Sequence, residues 1–378
     1  MKLIPPGSTI GILSGGQLGR MTAMAAARLG YRTHIFCPGT DEPAVAVADA
    51  HTCAPFTDRA ALEQFARATD VVTLEWENVP LDAMAAIAPH VGLHPSANVL
   101  RIAQDRALEK TFAREAGIAT TDYATVNSPA ELEKVLEKFL PQSRLREAQS
   151  SRGEYKSSAI LKSARMGYDG KGQVKITPDT VAADAWKAMG GETGILEAFV
   201  DFACEISVII ARRADGATAA YPAVENIHRN HILAETHAPA NIDAAVAREA
   251  EHVARQLAEK LDIVGLLAVE MFVLKQPDKN GRHVLMNEIA PRPHNSGHWT
   301  IDACACSQYE QLVRAICGLP LGSTVPHSRA VMHNLIGADV RRWPDLLKDP
   351  DACLHLYGKT EERPGRKMGH VTWLKGAW

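Results

Sequence analysis

The sequence predicts an α/β protein that opens on a helix-covered parallel sheet and continues into a larger unit of strands and long helices. Three observations carry that expectation. Apolar strand-like runs alternate with helical stretches over the first hundred residues. A Gly-rich turn separates the first such run from the first helix. Further on, two apolar runs are each interrupted by one glutamate and are joined by a turn signature.

The chain has 378 residues, 46% apolar and 22% charged, enough for two or three domains. Its net charge of −3 excludes the strong basic bias of a nucleic-acid or membrane-surface binder. The opening MKLIPPGSTIGIL lacks the long apolar stretch of a secretory signal. The apolar run 263–274 holds Glu270 and is too short for a bilayer, which needs about 20 residues. Seven cysteines at irregular spacing argue against a disulfide framework and fit reduced thiols in the cytosol. Cys304 and Cys306 read as buried cysteines, with half a metal site as the weaker reading.

In chain order, Ser8–Leu13 reads as a strand, Leu18–Leu29 as an Ala-rich helix, Arg32–Phe36 as a strand ended by Cys37-Pro38-Gly39, and Asp70–Trp76 as a further strand. Gln104–Ala116 is a charge-rich helix closed by Gly117. Pro141–Ser158 is polar and reads as a surface loop or insertion. Strands follow at Ala159–Ser163, Gly194–Val200, Glu205–Ala211, 263–274 and 283–290, with a helix over 241–261. A smaller Gly- and Pro-containing region runs from Pro320 to Trp378.

Six constellations could carry chemistry. In Gly11-Ile-Leu-Ser-Gly15-Gly16-Gln17-Leu18-Gly19-Arg20, a Gly-rich turn lets backbone N–H groups approach an anion at a helix N-terminus. The spacing departs from G-x-G-x-x-G, and the second strand ends in Cys-Pro-Gly rather than an acidic residue. A phosphate-binding turn therefore leads over plain strand–helix packing and over a dinucleotide site. Glu75 and Glu77, at i and i+2, point to one face at the end of a parallel strand, where ligands bind; a solvated strand end fits equally well. Lys162 stands before Gly167-Tyr168-Asp169-Gly170-Lys171-Gly172-Gln173, a loop that can close over phosphates, or else a generic hairpin turn.

Glu270 and Glu288 are the most informative by physics. Folding their two strands about Pro277-Asp-Lys-Asn-Gly281 sets them opposite or nearly opposite each other, and cross-strand partners have Cβ atoms roughly 5 Å apart. Two such carboxylates repel unless a cation joins them, and oxygen ligands favour Mg²⁺; the alternative places both on the solvent face. Next comes Ala290-Pro-Arg292-Pro-His294-Asn295-Ser296-Gly297-His298-Trp299, where Arg292 can bind an anion bidentately and His294 and His298 can act as acid, base or donor. Last is the basic run with Lys359, Arg363, Arg366 and Lys367, a solvated charge run or an anion clamp.

Taken together, GGQLGRM, GYDGKGQ, NEIAPRPHNSGHWT and RPGRKMGH, in this order across nearly the whole chain, resemble the N5-carboxyaminoimidazole ribonucleotide synthase family of the ATP-grasp superfamily. The resemblance implies an N-terminal Rossmann-like domain (1–104), an ATP-grasp domain (105–318) with a lid at about 120–200, and a small C-terminal domain (319–378). It implies a cytosolic homodimer that carboxylates 5-aminoimidazole ribonucleotide with bicarbonate and MgATP through carboxyphosphate. Mn²⁺ is an alternative metal. By the same resemblance, Arg106, Lys162, the loop Gly167, Tyr168, Asp169, Gly170, Lys171, Gly172 and Gln173, the segment Glu197, Ala198, Phe199 and Val200, and Glu205, His228, Asn287 and Glu288 hold nucleotide. Glu270 and Glu288 ligate the metal. Gly15, Gly16, Gln17, Leu18, Gly19, Arg20, Glu75 and Glu77 meet the ribonucleotide. Arg292 and His294 hold bicarbonate or carboxyphosphate, assisted by Lys359, Arg366 and Lys367. The rival readings are another ATP-grasp carboxylate–amine ligase such as a formate-dependent glycinamide ribonucleotide transformylase, an NAD-dependent dehydrogenase, and a non-catalytic nucleotide-binding module.

Overall fold

The computed structural model describes residues 3–139, 159–167, 172–177 and 179–378. The polar stretch 141–158 and Tyr168, Asp169, Gly170 and Lys171 lie outside the described residues.

The N-terminal unit is a five-stranded sheet in the order β3-β2-β1-β4-β5, every pair parallel. Its strands are β1 (Thr9–Leu13), β2 (Arg32–Cys37), β3 (Ala50–Cys53), β4 (Val71–Leu74) and β5 (Gly92–Leu93). Central β1 is apolar on both faces, with Ile10, Ile12 and Leu13 fully buried, as helices on both sides of a parallel sheet require. Helices α1 (Gln17–Arg28), α2 (Arg59–Arg67), α3 (Leu81–Ile87) and α4 (Ala97–Ala103) surround it. Strand order reverses between β1 and β4, so a crevice opens beyond their C-terminal ends, where open α/β sheets bind ligands. The Gly15 turn follows β1 and Glu75 follows β4, so both stand at this switch point.

Helix α5 (Arg106–Glu115) leads out of this unit. Asp105 caps it, its side chain accepting from the N–H groups of Ala107 and Leu108. Gly117, at φ +79°, ends the turn. A second sheet then forms in the order β6-β9-β7-β8 from β6 (Tyr123–Val126), β7 (Ala159–Ser163), β8 (Gln173–Ile176) and β9 (Gly194–Ala198). Helices α6 (Pro129–Phe139) and α7 (Ala182–Met189) close its own core around Leu132, Leu161, Trp186 and Leu196.

The third sheet is the largest, with nine antiparallel strands in the order β15-β14-β10-β12-β13-β16-β18-β17 and β11 beside β10. It contains β10 (Phe202–Arg212), β11 (Thr218–Ala220), β12 (Val224–Arg229), β13 (Ile232–Ala238), β14 (Gly265–Leu274), β15 (Val284–Ala290), β16 (Ser328–Ile336), β17 (Ala352–Leu356) and β18 (Lys367–Ala377). Helix α8 (Ala244–Lys260) buries Val246, Ala250, Ala254 and Leu257 in the core that also takes Leu267, Val269 and Ile289. Full burial of each such Leu, Val or Ile side chain stabilises by about 1.5–3 kcal/mol. Helix α9 (Gln308–Ile316) sends Leu312 and Ile316 into a separate core with Leu266, Ala268 and Trp299. Because β16 pairs with β13, the strands after Pro320 extend this same sheet.

Two expected spans end early. The strand expected over Asp70–Trp76 stops at Leu74, and the segment expected to run to Val200 leaves its sheet at Ala198. Glu75 and Glu77 therefore lie past a strand end rather than on one strand face.

Candidate active site

The facing carboxylates come directly from the hairpin. Strands β14 and β15 pair in a register that sets Glu270 opposite Glu288, with a bulge between Glu270 and Met271. Both side chains line a cavity of about 820 Å³ that draws on the second and third sheets and, from the N-terminal unit, on the start of α1 and the segment after β4. Each carboxylate has a basic partner. Arg106 Nη1 lies 2.7 Å from Glu288 Oε2, and His294 Nε2 lies 2.9 Å from Glu270 Oε1. Burial works against charge on Glu288, yet Arg106, Lys162 and His294 outweigh it and hold its carboxyl well below the ordinary range. Beside them the side-chain oxygen of Asn287 is buried without a hydrogen-bond partner. Among the described residues no group of three or more His, Cys, Asp or Glu is arranged to hold a metal ion. Two opposed carboxylates still fit Mg²⁺, which keeps waters and takes its other ligands from substrate phosphates.

The wall opposite belongs to the second sheet. Lys162 Nζ donates to Glu197 Oε2 at 2.7 Å, while Lys110 Nζ stands 3.3 Å from the other oxygen of Glu197. Burial lowers the Lys162 ammonium, with Glu197 opposing. Burial likewise resists charge on Glu197, but the two lysines hold it ionised. Glu197 thus anchors cations from beneath the cavity, and neither it nor Ala198, Phe199 or Val200 lines it. Ala198 is tied on both sides, its N–H donating to the Asp122 carbonyl and its own carbonyl accepting from Thr121 Oγ1. Phe199 is 42% exposed. Of the glycine loop, Gly167, Gly172 and Gln173 line the cavity. The Gly167 carbonyl accepts from Arg106 at 3.4 Å, and Gln173 Nε2 lies 2.9 Å from His231 Nδ1. Glu205 pairs with His228 at 3.3 Å. Burial opposes protonation of His228, but Glu205, Glu270 and Glu288 overcome it and raise the imidazole.

At the switch point the anion position of α1 is taken by the protein's own carboxylate. Glu75 accepts from the N–H of Gly16 at 2.6 Å, of Leu18 at 3.1 Å and of Gly19 at 3.0 Å. A Cβ on Gly16 would stand 2.5 Å from Glu75 Oε1, and one on Gly15 would stand 2.6 Å from Glu42 Cβ, so close approach requires both glycines. Arg20 turns away and donates to the Pro43 carbonyl at 3.1 Å. Gln17, Leu18, Glu75 and Glu77 still face the cavity. Glu77 is gripped by Arg292 through two hydrogen bonds, one from Nη2 to Oε1 at 2.8 Å and one from Nε to Oε2. Burial resists its charge, and Arg292 overrides that to keep Glu77 ionised.

His294 is held as firmly. Its Nδ1 meets Ser296 Oγ at 2.8 Å, its N–H donates to Gln308 Oε1 at 2.9 Å, and Ser296 accepts from Ser207 at 2.7 Å. His298 belongs to the core: it is fully buried, 2.8 Å from the Tyr309 hydroxyl, and burial drives its imidazole well below the ordinary value. Of the basic run, Lys367 lines the cavity. Lys359 Nζ donates to the Lys367 carbonyl at 2.7 Å, and burial with the Arg366 charge pushes its ammonium down to about 8. Arg366 donates to the Glu361 carbonyl at 2.9 Å. Cys304 and Cys306 are buried, which pushes both thiols up to about 12.

Sequence reasoning missed Glu109 and Lys110, both fully buried on α5. The available signal was their spacing of three and four residues from Arg106, which puts all three on one helix face. It also missed Phe202 and Phe272, whose rings stack at 4.8 Å in the cavity wall.

Comparison with known proteins places the chain among known families. Residues 7–104 match the ribonucleotide synthetase preATP-grasp domain, 111–309 the ATP-grasp domain, and 330–377 the phosphoribosylaminoimidazole carboxylase C-terminal domain. The chain is 46% identical to the N5-carboxyaminoimidazole ribonucleotide synthase of Brucella melitensis biotype 1, over 98% of each protein. It is 44% identical to the bifunctional purine synthesis protein purC/E of Dictyostelium discoideum, covering 98% of this chain but only 37% of that longer relative. Its fold matches the crystal structure of N5-carboxyaminoimidazole synthase from Aspergillus clavatus in complex with ADP and 5-aminoimidazole ribonucleotide. That match has a TM-score of 0.86 at 31% identity, over 98% of this chain and 94% of the other.

Proposed function

This chain belongs to the N5-carboxyaminoimidazole ribonucleotide synthases, ATP-dependent carbon–nitrogen ligases of the ATP-grasp superfamily, and from that premise we propose that it carboxylates 5-aminoimidazole ribonucleotide with ATP and bicarbonate by way of carboxyphosphate. The observation that carries the reading is the opposed pair Glu270 and Glu288, in one cavity with Lys162, Arg106, Arg292 and His294.

In this reading Lys162 and Arg106 hold the nucleotide phosphates, and Glu197 keeps Lys162 turned toward them. Gly167–Gln173 closes over the phosphates, excluding water from a labile acyl-phosphate. Glu205, His228 and Asn287 contact the rest of the nucleotide, with the segment Glu197–Val200 at the adenine end. Glu270 and Glu288 would hold Mg²⁺, which when bound neutralises charge developing on the transferred phosphoryl group. Arg292, fixed in orientation by Glu77, presents its guanidinium to bicarbonate and then to carboxyphosphate. His294, locked by Ser296 and Gln308, donates to the same group. The ribonucleotide enters over Gln17 and Leu18, and Glu75 and Glu77 meet its sugar. Its phosphate turns toward Lys359, Arg366 and Lys367, because Glu75 already fills the amide cradle of α1. The enzyme acts as a cytosolic homodimer, and its seven unpaired cysteines fit a reducing compartment.

The overall reaction is tested by following isotopic label from bicarbonate into the ribonucleotide as phosphate is released. The phosphate end of the substrate has its own test. Lys359 is charged below its lowered pKa of about 8 and neutral above it. The KM for the ribonucleotide therefore rises as pH passes through about 8, while the KM for ATP stays level. Lys359→Arg, charged throughout, flattens that rise. An unchanged profile in the arginine variant removes Lys359 from the substrate site.

A further inference from the structure

Three residues of one face of α5 grip a single point on the large sheet. Arg106 pairs with the Glu288 carboxylate at 2.7 Å. Glu109 Oε1 accepts from the N–H of Ile289 at 2.5 Å, and Lys110 Nζ donates to the carbonyl of Asn287 at 2.9 Å. The main chain is thus held on both sides of Glu288 while Arg106 holds its side chain.

The geometry follows from where β15 lies. It is the end strand of its sheet, so the N–H and C=O groups on its outer edge have no strand partner there. Upstream the edge is closed by backbone, the Met286 N–H donating to the Ala119 carbonyl. Around Glu288 it is closed by two polar side chains instead, the Lys110 ammonium and the Glu109 carboxyl, which burial pushes up to about 8. Glu109 and Lys110 are both fully buried, a place charged residues rarely take. Burying charge is a weak source of stability, and apolar replacements of similar volume often serve the fold as well or better. Their value here is positional: each fixes one main-chain atom beside the carboxylate. Lys110 also stands 3.3 Å from Glu197, the anchor of Lys162, so the same ammonium links the second sheet to the carboxylate strand.

We propose that Glu109 and Lys110 are positioning residues which clamp the main chain on either side of Glu288 and so set its carboxylate for the divalent cation that accompanies the nucleotide. The proposal rests on the reading of Glu288 as a metal ligand. Outer partners that orient metal ligands typically control affinity by about 10–100-fold.

The test measures binding of Mn²⁺ with ADP to the intact protein by electron paramagnetic resonance, and binding of 5-aminoimidazole ribonucleotide by calorimetry. Glu109→Leu and Lys110→Met, which remove the grips, each weaken Mn²⁺ with ADP by about tenfold or more and leave ribonucleotide affinity unchanged. Glu109→Gln keeps an acceptor and Lys110→Arg a cationic donor, and both stay close to wild type. If an apolar variant does not fold, Lys110→Gln, too short to reach Asn287, is read by the same criteria. Wild-type Mn²⁺ affinity in the apolar variants, or equal losses for both ligands, overturns the clamp. Wild-type Mn²⁺ affinity in Glu288→Gln overturns the underlying metal assignment instead, so the two failures are distinguishable.

Discussion

Glu288→Gln loses nearly all Mg²⁺-dependent turnover while the fold survives. The amide has the shape of the carboxylate but no charge, so the opposed pair keeps only Glu270 as an anionic ligand. Charge stabilisation by a bound metal is worth several kcal/mol, and losing it lowers turnover by about 100- to 1,000-fold. The protein tolerates the change because the Glu288 side chain is 36% exposed to the cavity and packs in no apolar core. Its ion pair with Arg106 becomes a hydrogen bond from the guanidinium to the amide oxygen. Steady-state phosphate release across a Mg²⁺ titration, set beside a thermal melt, checks both halves. Near-normal activity removes the metal assignment.

Arg292→Ala abolishes carboxylation but leaves ATP affinity nearly intact. Arg292 reaches across from the loop after β15 to Glu77 in the N-terminal unit, whereas Lys162 stands on the second sheet and pairs with Glu197. Removing the guanidinium that holds bicarbonate and then the carboxyphosphate formed from it costs turnover by about 100- to 1,000-fold. Glu77 then remains half-buried without its partner. The pair is partly solvated, so the stability cost is about 1–3 kcal/mol, below that of a fully buried pair. Arg292→Ala combined with Glu77→Gln recovers the stability but not the activity, separating the two roles. ATP binding by calorimetry decides the matter: if affinity falls in step with turnover, Arg292 belongs to the nucleotide site.

The carboxylate hairpin is legible in sequence because both of its determinants are local. Alternation along a strand fixes the face of each glutamate, and the Asp278–Gly281 turn fixes the register, so Glu270 meets Glu288 with no tertiary information. The parallel sheet is legible for the same reason, through apolar runs and the Gly15 turn. The role of Glu75 is not local. A glutamate past a strand end looks solvated until α1 is placed beside β4, and only then do three amides converge on its carboxylate. Glu109 and Lys110 sit in a charge-rich helix whose spacing marks a face shared with Arg106, but nothing in the helix reveals that the open edge of β15 will press against that face. His298 misleads in the opposite direction. It stands in a polar motif among site residues, yet the Tyr309 hydroxyl draws it into the core.

The central claim is tested most directly by phosphate release from MgATP and labelled bicarbonate, with and without 5-aminoimidazole ribonucleotide. Strong stimulation by the ribonucleotide, with one label entering it for each phosphate released, is the predicted result. Phosphate release that ignores the ribonucleotide, with no label in it, would contradict the proposed reaction and turn the substrate question to the other ATP-grasp ligases.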